Sequence, residues 1–125
     1  MGALEDAPAH LAKAEQFLAA ADATLDLDLF DAATSSAVSC AINAKDAVCL
    51  QLTGRTSKTE NHKNAAKELR TVGAAAVSLV PTFERLLSLK KKAQYQTTPI
   101  TRAEAARAVE WAHRMYGGAQ EILRG

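Results

Sequence analysis

Apolar residues recur along most of this chain at spacings of three and four, the signature of helices that bury one face. Leu11, Ala14, Phe17, Leu18 and Ala21 form such a stripe in a first helix predicted from about Ala7 to Thr24, with Asp6 as N-cap and Pro8 in the first turn. The acidic connector LDLDLFD follows, where Asp28 is placed to cap a second helix from Leu29 to about Leu52, and Gly54 ends it. Ser57 and Glu60 stand at capping-box spacing and open a short third helix to about Val72, stopped by Gly73. A fourth helix is predicted from near Ala76 to Ala93, with Pro81 in its first turn and Leu79, Phe83, Leu86, Leu87 and Lys90 along one side. Thr101 to Glu104, TRAE, is a second capping box. It starts a last helix whose apolar face is Ala105, Ala108, Val109, Ala112, Met115, Tyr116, Ala119, Ile122 and Leu123.

The expected fold is therefore all-α: an antiparallel up-and-down bundle of four long helices plus one short one, in a single domain over residues 1–125. Composition agrees, because the chain holds 27 Ala and only 6 Gly, with few β-branched or aromatic residues. Cys40 and Cys49 fall within the second helix, about 13 Å apart at roughly 1.5 Å rise per residue, too far to bridge. They read as reduced core thiols. No signal peptide and no run of about 20 apolar residues is visible, which predicts a cytoplasmic protein without a membrane span.

The second helix is unusual in having only two charged residues between Ala32 and Leu52, Lys45 and Asp46. Val38, Ala41, Ile42, Val48, Cys49 and Leu52 occupy one broad arc, and Ser36, Ser39, Asn43 and Asp46 form a polar row on another. Such a row either bonds neighbouring helices or a second copy, or lines a cleft in which Asn43 and Asp46 face a ligand. Charge is also divided along the chain: residues 1–46 carry −6 and residues 47–125 carry +7. That polarity can steer an anionic partner or pair two copies head to tail.

The run SSAVSCAINAKDAVCLQLTGRTSKTENHKNA, Ser35 to Ala65, resembles the second helix and following loop of the HEPN domain, whose helix reads approximately AVSRAYYAAF. Ile42 and Asn43 stand where that family often has two aromatics, and Gly54 and His62 fit its loop. LKKKAQY, Leu89 to Tyr95, is similar to the family's LRxxADY segment, with Lys90 on the Arg, Ala93 on the Ala, Gln94 on the Asp and Tyr95 on the Tyr. TRAEAARAVEWAHRM resembles its closing helix. The resemblance implies a helical homodimer, often beside a nucleotidyltransferase-like protein partner, that acts on or binds RNA, DNA or nucleotides. It implies no cofactor. Catalytic members resemble metal-independent ribonucleases with an Arg and a His close together near the dimer cleft, and KKKAQY has neither.

Arg55 and His62, separated by six residues in RTSKTENH, are the pair that satisfies the bare spacing. In a metal-free ribonuclease the His would move a proton at the 2′-hydroxyl and the Arg would steady the phosphate. They sit outside the segment where the family's pair is expected. His10, His62 and His113 are dispersed, with no ligand set at metal spacing. Lys90, Lys91 and Lys92 read either as the solvated end of a helix, where cations complement the macrodipole, or as an anion-binding edge. In the second case Lys58, Lys63, Lys67 or Arg55 would contribute and Tyr95 would offer a stacking face. Trp111 and Tyr116 read as core or dimer-interface aromatics.

Three readings follow. One is a non-catalytic dimeric module that binds nucleic acid, a nucleotide or a protein through a cleft between subunits, with Asn43, Asp46, His62, Lys90 and Tyr95 as its ligand-binding residues. A second is a metal-independent ribonuclease of toxin type using Arg55 and His62. The third is an antitoxin-like or structural subunit whose partner is another protein.

Overall fold

The computed structural model describes residues 3–57, 62–95 and 97–125, and the side chains of 6–57, 64–93 and 97–125. Within them the chain is helical throughout, with no strand: α1 (Ala3–Asp26), α2 (Phe30–Thr53), α3 (His62–Thr71), α4 (Ala74–Val77), α5 (Val80–Tyr95) and α6 (Arg102–Arg124). The four long helices form the bundle, and α2 is its centre, packing against α1, α6, α5 and α3. Contacts such as Tyr116 to Glu15 and His113 to Asp22 show α1 and α6 running antiparallel. None of these helices is long and apolar enough to cross a membrane.

Alanine decides how closely the helices meet. Ala37, Ala41 and Ala44 of α2 and Ala105, Ala108 and Ala112 of α6 are all fully buried, and the Cys40 thiol of α2 lies 3.8 Å from the Ala112 carbonyl oxygen. With so little side chain in the way, α2 packs more extensively against α6 than against α5. Larger side chains fill the rest: Phe83, Leu86, Leu69 and Met115 have no exposed surface, and each contributes about 1.5–3 kcal/mol by leaving water.

Helix boundaries were readable to within a turn or so, with three corrections. Helix α1 begins at Ala3 rather than Ala7, so Asp6 is not its N-cap and Pro8 lies inside the helix. Asp28 does not cap α2: it has φ 61, and the Asp28 and Leu29 N–H groups donate back to Leu25 and Thr24 carbonyls at 3.0 and 2.9 Å. It is the left-handed stop of α1, a role that Asp tolerates better than most residues. The helix expected from Ala76 is two helices, because Pro81 has no N–H for the carbonyl of Val77 and its ring crowds that carbonyl. Helix α4 accordingly ends at Val77, and α5 starts at Val80.

Other signals worked as expected. Gly54 closes α2 at φ 75 with its N–H on the Leu50 carbonyl at 2.9 Å. Thr101 and Glu104 form the reciprocal capping box at the start of α6. Ser57 is five residues ahead of the start of α3, and its N–H donates to Glu68 at 3.0 Å. Glu60, the other half of that expected box, lies outside the described residues.

Candidate functional site

The two charges of α2 lie inside the molecule. Lys45 is 2% exposed and Asp46 5%. Four oxygens surround the Lys45 ammonium: Asp46 Oδ1, Thr56 Oγ1 and the Ser57 carbonyl at 3.1 Å, and Glu68 Oε1 at 3.0 Å. The Thr56 hydroxyl donates to Asp46 Oδ1 at 2.6 Å, and the Ser57 N–H donates to Glu68. A buried ammonium is tolerable only when fully coordinated, and this one fastens the chain after α2 and the outer turns of α3 to the bundle.

Electrostatics follow from that geometry. Burial works against the charged form of Lys45, but Asp46 and Glu68 outweigh it and raise its pKa. For Glu68, burial opposes ionisation, while the Ser57 N–H and the Lys45 ammonium favour it and hold the carboxyl below its ordinary value. A third helix joins this network. His10 of α1 places Nδ1 3.0 Å from Asn43 Oδ1 and 3.9 Å from Asp46 Oδ2. Asn43 Nδ2 donates to the Ser39 carbonyl at 2.9 Å, and its oxygen faces the His10 ring.

Of the residues singled out from sequence, Asn43 and Asp46 are thus brought together, on a network internal to the fold. Within the polar row of α2, Asn43 and Asp46 meet His10 of α1, and Asp46 also meets Thr56 of the segment after α2. His62 is the first residue of α3 and Tyr95 the last of α5; both side chains lie outside the described ones, as do Lys63 and residue Lys58 entirely. Arg55 is exposed, its N–H on the Thr53 hydroxyl at 3.3 Å.

The lysine run divides by residue. Lys92 is committed to Glu104 of α6 at 2.8 and 3.0 Å, which removes it from the anion-binding edge. The same carboxylate accepts the Thr101 N–H at 3.0 Å, and Lys92 first, then that N–H, pull the Glu104 pKa down to about 2. Lys91 is exposed. Lys90 lines a small notch of about 90 Å³ between α5 and α2, together with Ala93 and with Ser35, Val38, Ser39 and Ile42. Ser39 lies one helical turn from Asn43, so the notch adjoins the buried network.

A second, shallower depression of about 490 Å³ lies between α4 and the end of α6, lined by Leu52, Leu79, Gly118 and Ile122 among others. Leu52 is 39% exposed, and Val77 at the end of α4 is 49% exposed. The Tyr116 hydroxyl donates to Glu15 at 2.7 Å and Trp111 packs on the core, so both aromatics are used within the bundle. Cys40 and Cys49 are unbridged and buried, and burial pushes both thiols up to about 12.

Sequence reasoning passed over Lys45, Glu68, Thr56 and His10. One signal was available for the first: a lone Lys–Asp pair in an otherwise uncharged buried helix has to be neutralised by something nearby. Nothing local points to His10, which reaches Asn43, 33 residues away in sequence, only because α1 packs against α2.

A family model described as the HEPN domain matches residues 7–122. Comparison with curated proteins returns no match.

Proposed function

Because this chain belongs to the HEPN domain family, we propose that it is a non-catalytic, dimeric binding module that takes a phosphate-bearing ligand, nucleic acid or nucleotide, on the face made by α2 and α5. The division of labour among its charges supports this reading most directly. Asp46, Lys45 and Glu68 pair with one another inside the fold, while α5 carries Lys90 at the notch and Lys91 on its exposed side. Cations at a surface recess attract phosphate, and KKKAQY supplies no histidine to move a proton there. Dimerisation would place two such faces about one cleft, with His62 and Tyr95 as further contributors.

The test is binding of a short single-stranded RNA across a salt series, with the RNA checked for cleavage. Binding that weakens with salt, without cleavage, is expected. Cleavage abolished by His62→Ala would instead make the Arg55 and His62 ribonuclease the correct reading.

One observation favours a second reading, a subunit that associates with a protein. The apolar depression beside α4 exposes Leu52, and Val77 is exposed nearby in sequence to its lining residues Ala75 and Ser78. Nucleic acid has no use for such a surface. A stable protein complex with no affinity for RNA or nucleotides would establish it.

A further inference from the structure

Positive charge is gathered in one part of the bundle. Residues 62–95, which hold α3, α4 and α5, carry seven basic residues against two acids, +5, although the whole chain carries only +1. Both of those acids are engaged: Glu68 with Lys45 and the Ser57 N–H, and Glu84 with Arg70 at 2.9 Å. Lys67 of α3 and Arg85 and Lys91 of α5 are exposed, and among the described residues none of the three has a hydrogen-bond or ion-pair partner. The Arg70–Glu84 contact fixes how these cations stand to one another. Glu68 is level with Lys45, and a Cβ on Gly73 would lie 3.6 Å from a Leu52 methyl, so α3 runs in the same direction as α2. Helix α5 runs the opposite way, with Leu79 beside Leu52 at one end and Lys90 beside Ser39 at the other. From the Arg70–Glu84 junction, Lys67, one turn back along α3, and Lys91, two turns on along α5, therefore extend in the same direction. Arg85 adjoins the junction itself.

We propose that the outer flank of α3 and α5 is a track for the sugar–phosphate backbone of a nucleic-acid strand, with Lys67, Arg85 and Lys91 on different phosphates and no base read. The inference rests on the phosphate-ligand reading above and selects a strand over a mononucleotide. Arg85 and Lys91 are six residues apart, about 9 Å along α5 at roughly 1.5 Å per residue, and Lys67 stands on another helix. Cations spread in this way serve the successive charges of a strand better than they serve one phosphate. The described side chains of α3 to α5 offer no stacking face, because Phe83, the one aromatic among them, is fully buried. Contacts of this kind position a strand without reading its sequence. Charge elsewhere favours the same side: α1, which packs on α2 and α6, carries five acids against Lys13 and repels a polyanion.

The experiment is fluorescence anisotropy of the full chain with short labelled oligouridylate and oligoadenylate RNAs, from about 50 to 200 mM salt, with adenosine 5′-monophosphate and polyglutamate as competitors. Lys67→Gln, Arg85→Gln and Lys91→Gln are compared with wild type and with Lys13→Gln on α1 as the control, and thermal unfolding confirms that all are folded. Each of the three should lower the slope of log affinity against log salt by about 0.7, the share of one phosphate contact on a single strand, and the triple variant by about 2. Lys13→Gln should leave it unchanged, both RNAs should bind alike, and both competitors should be weak. Slopes equal to wild type in all three variants overturn the track and leave the proposed function standing. A preference of about tenfold between the two RNAs, or competition by the mononucleotide as strong as that by RNA at equal phosphate concentration, overturns it too, with the same function intact. Polyglutamate that competes as well as RNA makes the flank a docking surface for an acidic protein and overturns the track. Absence of RNA binding at the lowest salt also overturns it; if the mononucleotide, followed by amide NMR, is unbound as well, the proposed function falls with it.

Discussion

Lys45 and Glu68 meet at 3.0 Å with the ammonium almost wholly shielded from water, and this contact ties the central helix to α3 across the connection between them. The pair is not decoration on the surface, where an ion pair is worth little. Removing Lys45 strands Asp46 and Glu68 against each other in a region of low polarity. Lys45→Met should therefore lower stability by about 3–5 kcal/mol, as measured by urea unfolding. A loss below about 1 kcal/mol would show that the network is a bystander.

Glu104 gives a pH dependence with a definite sign. Its folded pKa of about 2 lies below the ordinary carboxylate value of about 4.3, so its contribution is full above that value and is lost as pH falls toward 2. Glu68, also depressed, adds to the same acid loss. The difference in unfolding midpoint between wild type and Glu104→Gln should be constant above about pH 5 and shrink toward zero as pH approaches 2. A difference unchanged down to pH 2 would mean that the Lys92 and Thr101 contacts do not act on the carboxylate charge.

Adjacent glycines in α6 should respond oppositely to alanine. A Cβ on Gly118 would stand 2.5 Å from a Leu79 methyl, whereas one on Gly117 meets nothing within 4 Å. Gly118→Ala should cost about 1–3 kcal/mol through overpacking, partly offset by its better helix propensity. Gly117→Ala should gain about 0.5–1 kcal/mol. Thermal melts of both variants check the pair, and the same direction of change in both would contradict the packing described.

Both thiols should resist alkylation in the native protein. At pH 8 neither Cys40 nor Cys49, each pushed up to about 12, holds an appreciable thiolate fraction, and both are enclosed. Mass spectrometry should find no adduct until denaturant is added, then two. Rapid labelling without denaturant would show that α2 opens.

Periodicity and capping residues made the bundle legible. Thr101 with Glu104 and Gly54 act through local geometry that any sequence reader can see. The failures had physical causes that are not local. Asp28 is equally able to start a helix or to adopt the left-handed turn that ends one, and the fold needed the second. Pro81 was placed in a first turn correctly, yet the helix whose first turn it is begins later than hydrophobic spacing suggests. At the site, the polar row of α2 was visible, but Thr56 and His10, which meet its Asp46 and Asn43, and Glu68, which meets Lys45, come from other parts of the chain. Lys90 lies at the notch between α5 and α2, and Lys92 is paired with Glu104.

The proposed binding of phosphate-bearing ligands without cleavage is open to one decisive measurement, fluorescence anisotropy of a labelled single-stranded RNA, read from low to moderate salt and followed by electrophoresis of the recovered RNA. Saturable binding that weakens as salt rises, with the RNA intact and the affinity reduced in Lys90→Gln, is the predicted result. No binding at the lowest salt, or cleavage that disappears in His62→Ala, would contradict it.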